Sequence, residues 1–326
     1  MNQLHPLLNW IPYKLLVDKD EVLCRWMYIS EKHFTEPFFE ETISKCLSYP
    51  ENSKRFKSVS TLDCLTEASE QLEYTAPSAF IFHVSRCGST LLSQLLSLDK
   101  ENIVLSEVPL FDEILRLSYK TGSVPPHEVE EALLAAIRLS GKKRNAGEKR
   151  LFIKLDSWHI CFYKTIRRLF PSVPFIFLYR SPDEVIRSHQ ELRGMHAVQG
   201  IIEPAVFGFR EEEINDLPID AYLARVLECY FRNFLSIGSQ DENSLFINYN
   251  EGALSMVQQI TKIAGYLLNN NQLSEIQART QFHSKYPGKP FSEITTKTAI
   301  PSYQETAMKL YQQLEEKRIL SAQLIP

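Results

Sequence analysis

With 326 residues, 44% hydrophobic and 23% charged, the chain can form one large α/β core or two modest domains; its 11 glycines and 17 scattered prolines exclude a collagen-like tract or a long flexible linker. A formal net charge of −4 argues against a general nucleic-acid binder or an enzyme built for long polyanions, since either needs an excess of Lys and Arg. The six cysteines are widely spaced without a CxxC pair, the pattern of free thiols in a reducing compartment. With no basic-then-apolar leader and no apolar run of about 18 residues, the expectation is a cytoplasmic protein without a membrane span.

Up to about Tyr74 the chain reads as mixed structure. Val22 to Ile29 forms a strand, Glu36 to Leu47 an amphipathic helix with Pro37 in its first turn, and the polar stretch from Glu51 to Ser60 a loop. Residues 1–76 are thus an accessory segment ahead of a domain spanning 77–326. From Ser78 onward, short apolar runs at 79–84, 102–107, 150–155, 174–180 and 244–249 alternate with helical stretches at 90–98, 127–140 and 157–170. A further helix runs from Asp220, its N-cap, to just before Gly238, and a last one over roughly 303–318 packs against the body. Runs that are apolar on both faces mark buried parallel strands. The alternation predicts an α/β fold, a doubly wound parallel sheet with an N-terminal extension, whose ligands sit at the carboxyl ends of the strands.

All five strand ends carry candidate chemistry. After the first, Arg86-Cys87-Gly88-Ser89-Thr90-Leu91 runs through a tight turn into a helix. Gly88 allows close backbone approach, the helix start faces an anion, Arg86 adds charge, and Ser89 and Thr90 add hydroxyls. The GxxxxGK[ST] pattern is absent, and by itself the stretch equally describes a capped helix with an exposed Arg. At the fourth strand, Ser181 is an N-cap, Pro182 the first helical residue, and Glu184 completes a capping box. Arg180 then leaves the strand end while Ser188 faces back from two turns into the helix, a pair able to hold one phosphate from two sides or simply part of a capped surface helix. Tyr249 ends the fifth strand ahead of an amphipathic helix through Ile260 and Ile263, and a buried structural role fits it as well. Lys154 ends a buried strand, where it is either functional or half of a structural ion pair. Asp156 is a base or an N-cap, and Glu107 follows the second strand. His83, His159 and His189 lie near these motifs without an assigned role.

In this order, over about 78–289, the motifs resemble the sulfotransferases that use 3′-phosphoadenosine 5′-phosphosulfate (PAPS). Arg86 to Thr90 is similar to their 5′-phosphosulfate loop, (K/R)-S-G-(S/T)-T, with Cys87 in place of the serine, so that backbone contacts at that position replace a hydroxyl. Arg180 and Ser188, eight residues apart, match the pair that binds the 3′-phosphate. Tyr249 takes the place of the tyrosine near the adenine, with Asn250 where a Glu is usual and Glu251 one step later. Lys154 takes the place of the strand-end Lys that contacts the transferring sulfonyl group or its bridging oxygen, and Arg86 shares in stabilising it. The resemblance implies Glu107 as general base, from its position in tyrosylprotein-type and some bacterial members, or else Asp156, which stands where small-molecule enzymes carry a His; Glu107 is preferred. The Arg-Lys-Gly tripeptide that family members place over the 3′-phosphate is missing, and Lys285 and Lys289 stand near its position. PAPS as co-substrate, no metal, a small-molecule acceptor and no nucleic acid follow as expectations. A phosphotransferase with a divergent phosphate loop and a non-catalytic nucleotide-binding scaffold of the same fold are the alternatives.

Overall fold

The computed structural model describes residues 5–18, 21–54, 57–121, 124–282 and 300–323. Its N-terminal part is a three-stranded antiparallel sheet of β1 (Trp10–Asp18), β2 (Glu21–Tyr28) and β3 (Val59–Thr61). The stretch expected as loop up to Ser60 therefore ends in a strand, because the free edge of β2 takes Val59 to Thr61 as partners for its backbone groups. Helix α1 (Phe39–Cys46) is shorter than its sequence pattern. Glu36 is held outside it by Thr42 Oγ1 at 2.8 Å, Lys32 at 2.6 Å and Lys45 at 3.0 Å, which leaves Pro37 ahead of the first turn. Helix α2 (Leu62–Glu70) follows.

The main sheet takes all five apolar runs as strands: β4 (Pro77–His83), β5 (Asn102–Ser106), β6 (Arg150–Lys154), β7 (Phe175–Tyr179) and β8 (Ser244–Asn248). Every pairing is parallel and the order is β5-β6-β4-β7-β8. β4 crosses to the far edge through α3 (Ser89–Leu96), whereas all later connections run the opposite way across the sheet. Right-handed crossovers therefore put α3 on one face. They put α4 (Pro109–Leu115), α5 (Leu117–Thr121), α6 (Pro126–Ser140), α7 (Tyr163–Leu169), α8 (Pro182–Glu191) and α9 (Ile219–Ile237) on the other. Helices α10 (Ala253–Ile263) and α11 (Asn270–Thr280) join α3, and α12 (Glu305–Gln323) packs on α9. This is the doubly wound α/β arrangement expected. On the α9 face, the Phe177 ring lies 5.1 Å from Phe82, 4.8 Å from Phe246 and 5.1 Å from Phe234, an aromatic layer that locks three adjacent strands to one helix.

Two helix starts differ from expectation. The stretch from Ser157 to Phe170 is not one helix: a 3₁₀ segment, Ser157–Phe162, precedes α7. Its first turn is drawn tight by His159, whose N–H bonds Asp156 O at 3.0 Å and whose Nδ1 accepts from Asp156 N at 3.3 Å. Helix α9 is capped by Pro218 instead of Asp220, because Tyr222 N already reaches Pro218 O at 2.9 Å. Asp220 sits in the first turn, where its carboxylate suits the helix dipole and meets Arg193 at 2.6 Å. Among the described residues no helix is long and apolar enough to cross a membrane.

The N-terminal sheet is tied to the body by Leu15 N, which donates to Glu113 Oε2 at 2.6 Å, and by the buried ammonium of Lys142, which donates to the carbonyls of Leu7 (2.7 Å) and Trp10. Burial, and secondarily Arg144, push the pKa of Lys142 from the usual 10.5 down to about 7. Between those two values the unfolded chain binds more protons than the folded one, so this group makes stability rise with pH across that window. Urea unfolding from pH 7 to 10 should show a slope of up to about 1.4 kcal/mol per pH unit from this source, and Lys142→Met should remove it.

Candidate active site

The crevice of this sheet is set by its strand order. β4 sends its chain to one face while its neighbours β6 and β7 send theirs to the other, so the carboxyl end of β4 lies open between them. The turn that fills this place is curled: Ser85, Arg86 and Gly88 have φ of 68°, 51° and 80°. For the two non-glycine residues such backbone costs about 1–2 kcal/mol each, and it lines a concave turn with amides. Gly88 is the N-cap of α3 and no side chain caps that helix, so its opening amides face the crevice. The Cys87 side chain points the other way. It is fully buried, its Sγ lies 3.5 Å from Leu178 O, and burial pushes its thiol pKa up to about 11. Only the backbone of Cys87 is available to a ligand.

Beside the turn, the ends of β5 and β6 meet. Glu107 follows β5 with φ 55°, its N–H donates to Lys154 O at 2.8 Å, and its Oε1 lies 2.8 Å from Lys154 Nζ. The same Oε1 is 3.3 Å from His83 Nε2, at the end of β4, while His83 Nδ1 accepts from Ser85 N at 3.0 Å. Lys154 has no exposed side-chain surface and its Nζ lies 3.5 Å from Thr90 Oγ1. Burial alone would raise the Glu107 carboxyl, but Lys154 and then His83 outweigh it and hold it well below the usual carboxylate range. Lys154 is thus half of an ion pair behind Thr90, one of the two roles open to it from sequence.

Asp156 behaves in the opposite way. Burial first, then Glu107 and Asp112, raise its carboxyl well above the ordinary Asp value. Asp112 is the centre of a buried hub: Oδ1 accepts from Trp158 Nε1 at 2.5 Å and lies 3.1 Å from His159 Nε2, and Arg116 donates to both oxygens at 2.7–3.0 Å. Asp112, Asp156 and His159 could together surround a metal ion, but the oxygens of Asp112 already have these partners, which accounts for the cluster as a hydrogen-bond hub.

Across the crevice, the Arg180 guanidinium lies 4.1 Å from the centre of the Tyr249 ring and 3.1 Å from Glu184 Oε1. The expected capping box is therefore not formed: Glu184 is drawn to Arg180, and the Ser181 hydroxyl bonds Asp183. The Tyr249 ring packs on Gly88, where an added Cβ would stand 3.1 Å away. The turn, Arg180 and Tyr249 thus form one contiguous wall.

All this opens onto one cavity of about 860 Å³. Arg86, Gly88, Ser89, Thr90, Leu91, Glu107, Asp156, Arg180, Ser188 and Tyr249, all named from the sequence, line it. Lys154 and Cys87 lie behind the lining. Lys285 and Lys289 fall outside the described residues. Sequence reasoning left His83 without a role and did not single out His196; both also line the cavity. His83 had a signal, since it ends a strand just as Lys154 does; His196 stands in an irregular stretch with none.

Two substitutions test this geometry. Gly88→Ala forces an L side chain into the left-handed region against Tyr249 and should lower stability by about 1–2 kcal/mol in urea unfolding. Lys154→Met leaves the Glu107 carboxylate without its nearest cation and should cost about 3 kcal/mol at pH 7, part of it restored by adding Glu107→Gln. Because the folded pKa of Glu107 is depressed, the contribution of the pair is complete above the ordinary Glu value of 4.5 and fades as pH falls below it, so Lys154→Met should also flatten the acid limb of the stability profile.

The sequence matches no protein-family model and no curated protein. Among solved structures, the chain is similar to a sulfotransferase from Mycobacterium avium, at 12% identity over 80% of each chain with a TM-score of 0.44. It is also similar to the sulfotransferase domain of a Synechococcus olefin synthase, at 16% identity over 74% of this chain and 96% of that one with a TM-score of 0.46. A sulfotransferase from Mycobacterium tuberculosis aligns at 11% identity over 78% and 81%, with a TM-score of 0.43. Matches this distant assign no residue a role, and the α/β fold stands on its own strand order and crossovers.

Proposed function

We propose that the chain is a PAPS-dependent sulfotransferase that moves the sulfonyl group to a hydroxyl or amine of a small molecule. One observation carries the reading: the turn at Gly88 and the Arg180–Ser188 pair line the same cavity, as a nucleoside phosphorylated at both 5′ and 3′ positions requires. In this reading the amides of the turn, with Ser89 and Thr90, bind the 5′-phosphosulfate, Arg180 and Ser188 the 3′-phosphate, and the Tyr249–Arg180 stack borders the adenine. Residues 77–326 form the catalytic domain, residues 1–76 its accessory segment, and the cytoplasm, where PAPS is made, is the place of action.

The ion pair supplies a sequence of events. Lys154 needs to turn only as far as Thr90 to meet negative charge on a bound ligand, and on leaving Glu107 it lets the depressed pKa of that carboxylate rise. Glu107, ionised at neutral pH and facing the cavity, then takes the proton of the acceptor. A new S–O or S–N bond forms as the bond to the bridging oxygen breaks, Lys154 and Arg86 stabilise the charge on the departing oxygen, and adenosine 3′,5′-bisphosphate leaves. Asp156, whose carboxyl is raised well above the ordinary Asp value, holds its proton more readily than Glu107 and suits a hydrogen-bond donor better than a base. Between the two bases open from sequence, this favours Glu107.

Isothermal titration should show adenosine 3′,5′-bisphosphate binding and no binding of ATP–Mg²⁺; the reverse would make the chain a phosphotransferase. Labelled sulfonyl should pass from PAPS to a component of a metabolite extract, and binding without transfer would leave only a scaffold. Glu107→Gln should lower turnover by about 100-fold, and Asp156→Asn by much less.

A further inference from the structure

Cys161 and Cys229 meet in the fold although 68 residues separate them: their sulfurs lie 3.9 Å apart. Cys161 belongs to the 3₁₀ segment Ser157–Phe162 and Cys229 to the middle of α9, two elements that pack together, and both side chains are half-buried. The Cys229 sulfur also accepts from Asn233 Nδ2 at 3.6 Å and lies 3.6 Å from the Phe207 carbonyl. The contact with Cys161, helped by Asn233, Arg232 and Arg225, outweighs burial and lowers the pKa of the Cys229 thiol, while the same contact and burial raise that of Cys161. A sulfur that gives up its proton more readily thus stands against one that keeps it, a pairing from which a disulfide closes. The other cysteines are differently placed. Cys24, Cys46 and Cys87 are buried, and burial raises their thiols; Cys64 is exposed; among the described residues none of the four has a second sulfur within hydrogen-bond reach.

Ser157 and Trp158, on the same short segment as Cys161, line the cavity, and Ser157 Oγ lies 3.4 Å from the hydroxyl of Tyr230, the residue after Cys229. A bond between the two sulfurs therefore reinforces a place where the cavity wall already rests on α9. It requires the sulfurs to close from 3.9 Å to the roughly 2.05 Å of a disulfide, a movement of about 1 Å for each.

We propose that Cys161 and Cys229 are a redox site at which a peroxide closes a reversible disulfide between the 3₁₀ segment and α9. The Cys229 sulfur attacks one peroxide oxygen, the O–O bond breaks, and water leaves a sulfenic acid behind. The Cys161 sulfur then attacks that sulfur, the S–O bond breaks, and a second water departs. Two thiols give up two electrons and two protons, and the peroxide is reduced to two waters. A dithiol returns the pair to its open form, so in reducing surroundings both thiols are free and the link is made only under oxidant. The site stands whether or not the chain transfers a sulfonyl group.

The test uses the full chain carrying Cys64→Ser, which removes the exposed thiol, treated at neutral pH with a small excess of hydrogen peroxide. Its intact mass should fall by about 2 Da, the two hydrogens lost on closing one disulfide. Two fewer thiols should react with Ellman's reagent in denaturant, and the tryptic peptides holding Cys161 and Cys229 should appear joined. Dithiothreitol should reverse all three changes. Because the link closes a long loop of the unfolded chain, the oxidised form should melt about 5 °C above the reduced one. Cys161→Ser or Cys229→Ser in the same background should abolish both the mass change and the shift in Tm. The peptide map of the unsubstituted pair decides the matter even if those variants fold poorly. Sulfinic acid on either cysteine without a joined peptide overturns the proposal. So does a bond from either sulfur to another cysteine, a full count of free thiols after peroxide, or a Tm that falls on oxidation.

Discussion

The carboxylate of Glu107 and the ammonium of Lys154 stand 2.8 Å apart at the ends of two adjacent strands, and the rest of the site is arranged around that contact. Removing either ion from water costs several kcal/mol, so neither is tolerated there without the other. The backbone serves the same pairing. Glu107 adopts a left-handed conformation and bonds Lys154 through its amide as well as its side chain, which fixes the backbones that carry both charges at the ends of adjacent strands.

Charge separation follows from this pair. Two carboxyl groups of the same cavity, Glu107 and Asp156, are driven in opposite directions, one lowered by Lys154 and His83, the other raised by burial and by the negative charge of Glu107 itself. Pairs of acids whose environments drive their pKa values apart are how a single fold obtains both an acceptor and a donor of protons at neutral pH. The hub at Asp112 supports the arrangement from behind. It holds Trp158 and His159, fixes the tight turn that follows Asp156, and adds to the negative charge that raises the Asp156 carboxyl.

The opposite wall is built by stacking. Tyr249 is held between Gly88 and Arg180, so the turn and the guanidinium are spaced by one aromatic ring. The absence of a side chain at Gly88 serves two ends at once, the left-handed backbone of the turn and room for that ring. The strained backbone of Ser85 and Arg86 falls in the same few residues.

What the sequence by itself determined is whatever depends on neighbours along the chain. Runs apolar on both faces are buried strands wherever they lie, a Pro such as Pro182 starts a helix, and a Gly ahead of Ser-Thr bends into one; the five strands, the doubly wound class, the positions of Gly88, Arg180 and Tyr249 after strand ends and that of Ser188 in the helix after Arg180 were all legible on that basis. Helix starts that depend on distant partners were not, since Glu36 is tied by Lys45 and Asp220 is turned to Arg193. Only the tertiary structure decided which strand ends are adjacent, and with that the pairing of Glu107 with Lys154, the opposite directions in which the two acids are shifted and the inward turn of Cys87. The reason is physical: pKa values and unsatisfied hydrogen bonds are set by desolvation and by charges a few ångströms away, and those neighbours come from remote parts of the chain that meet only when the sheet has assembled.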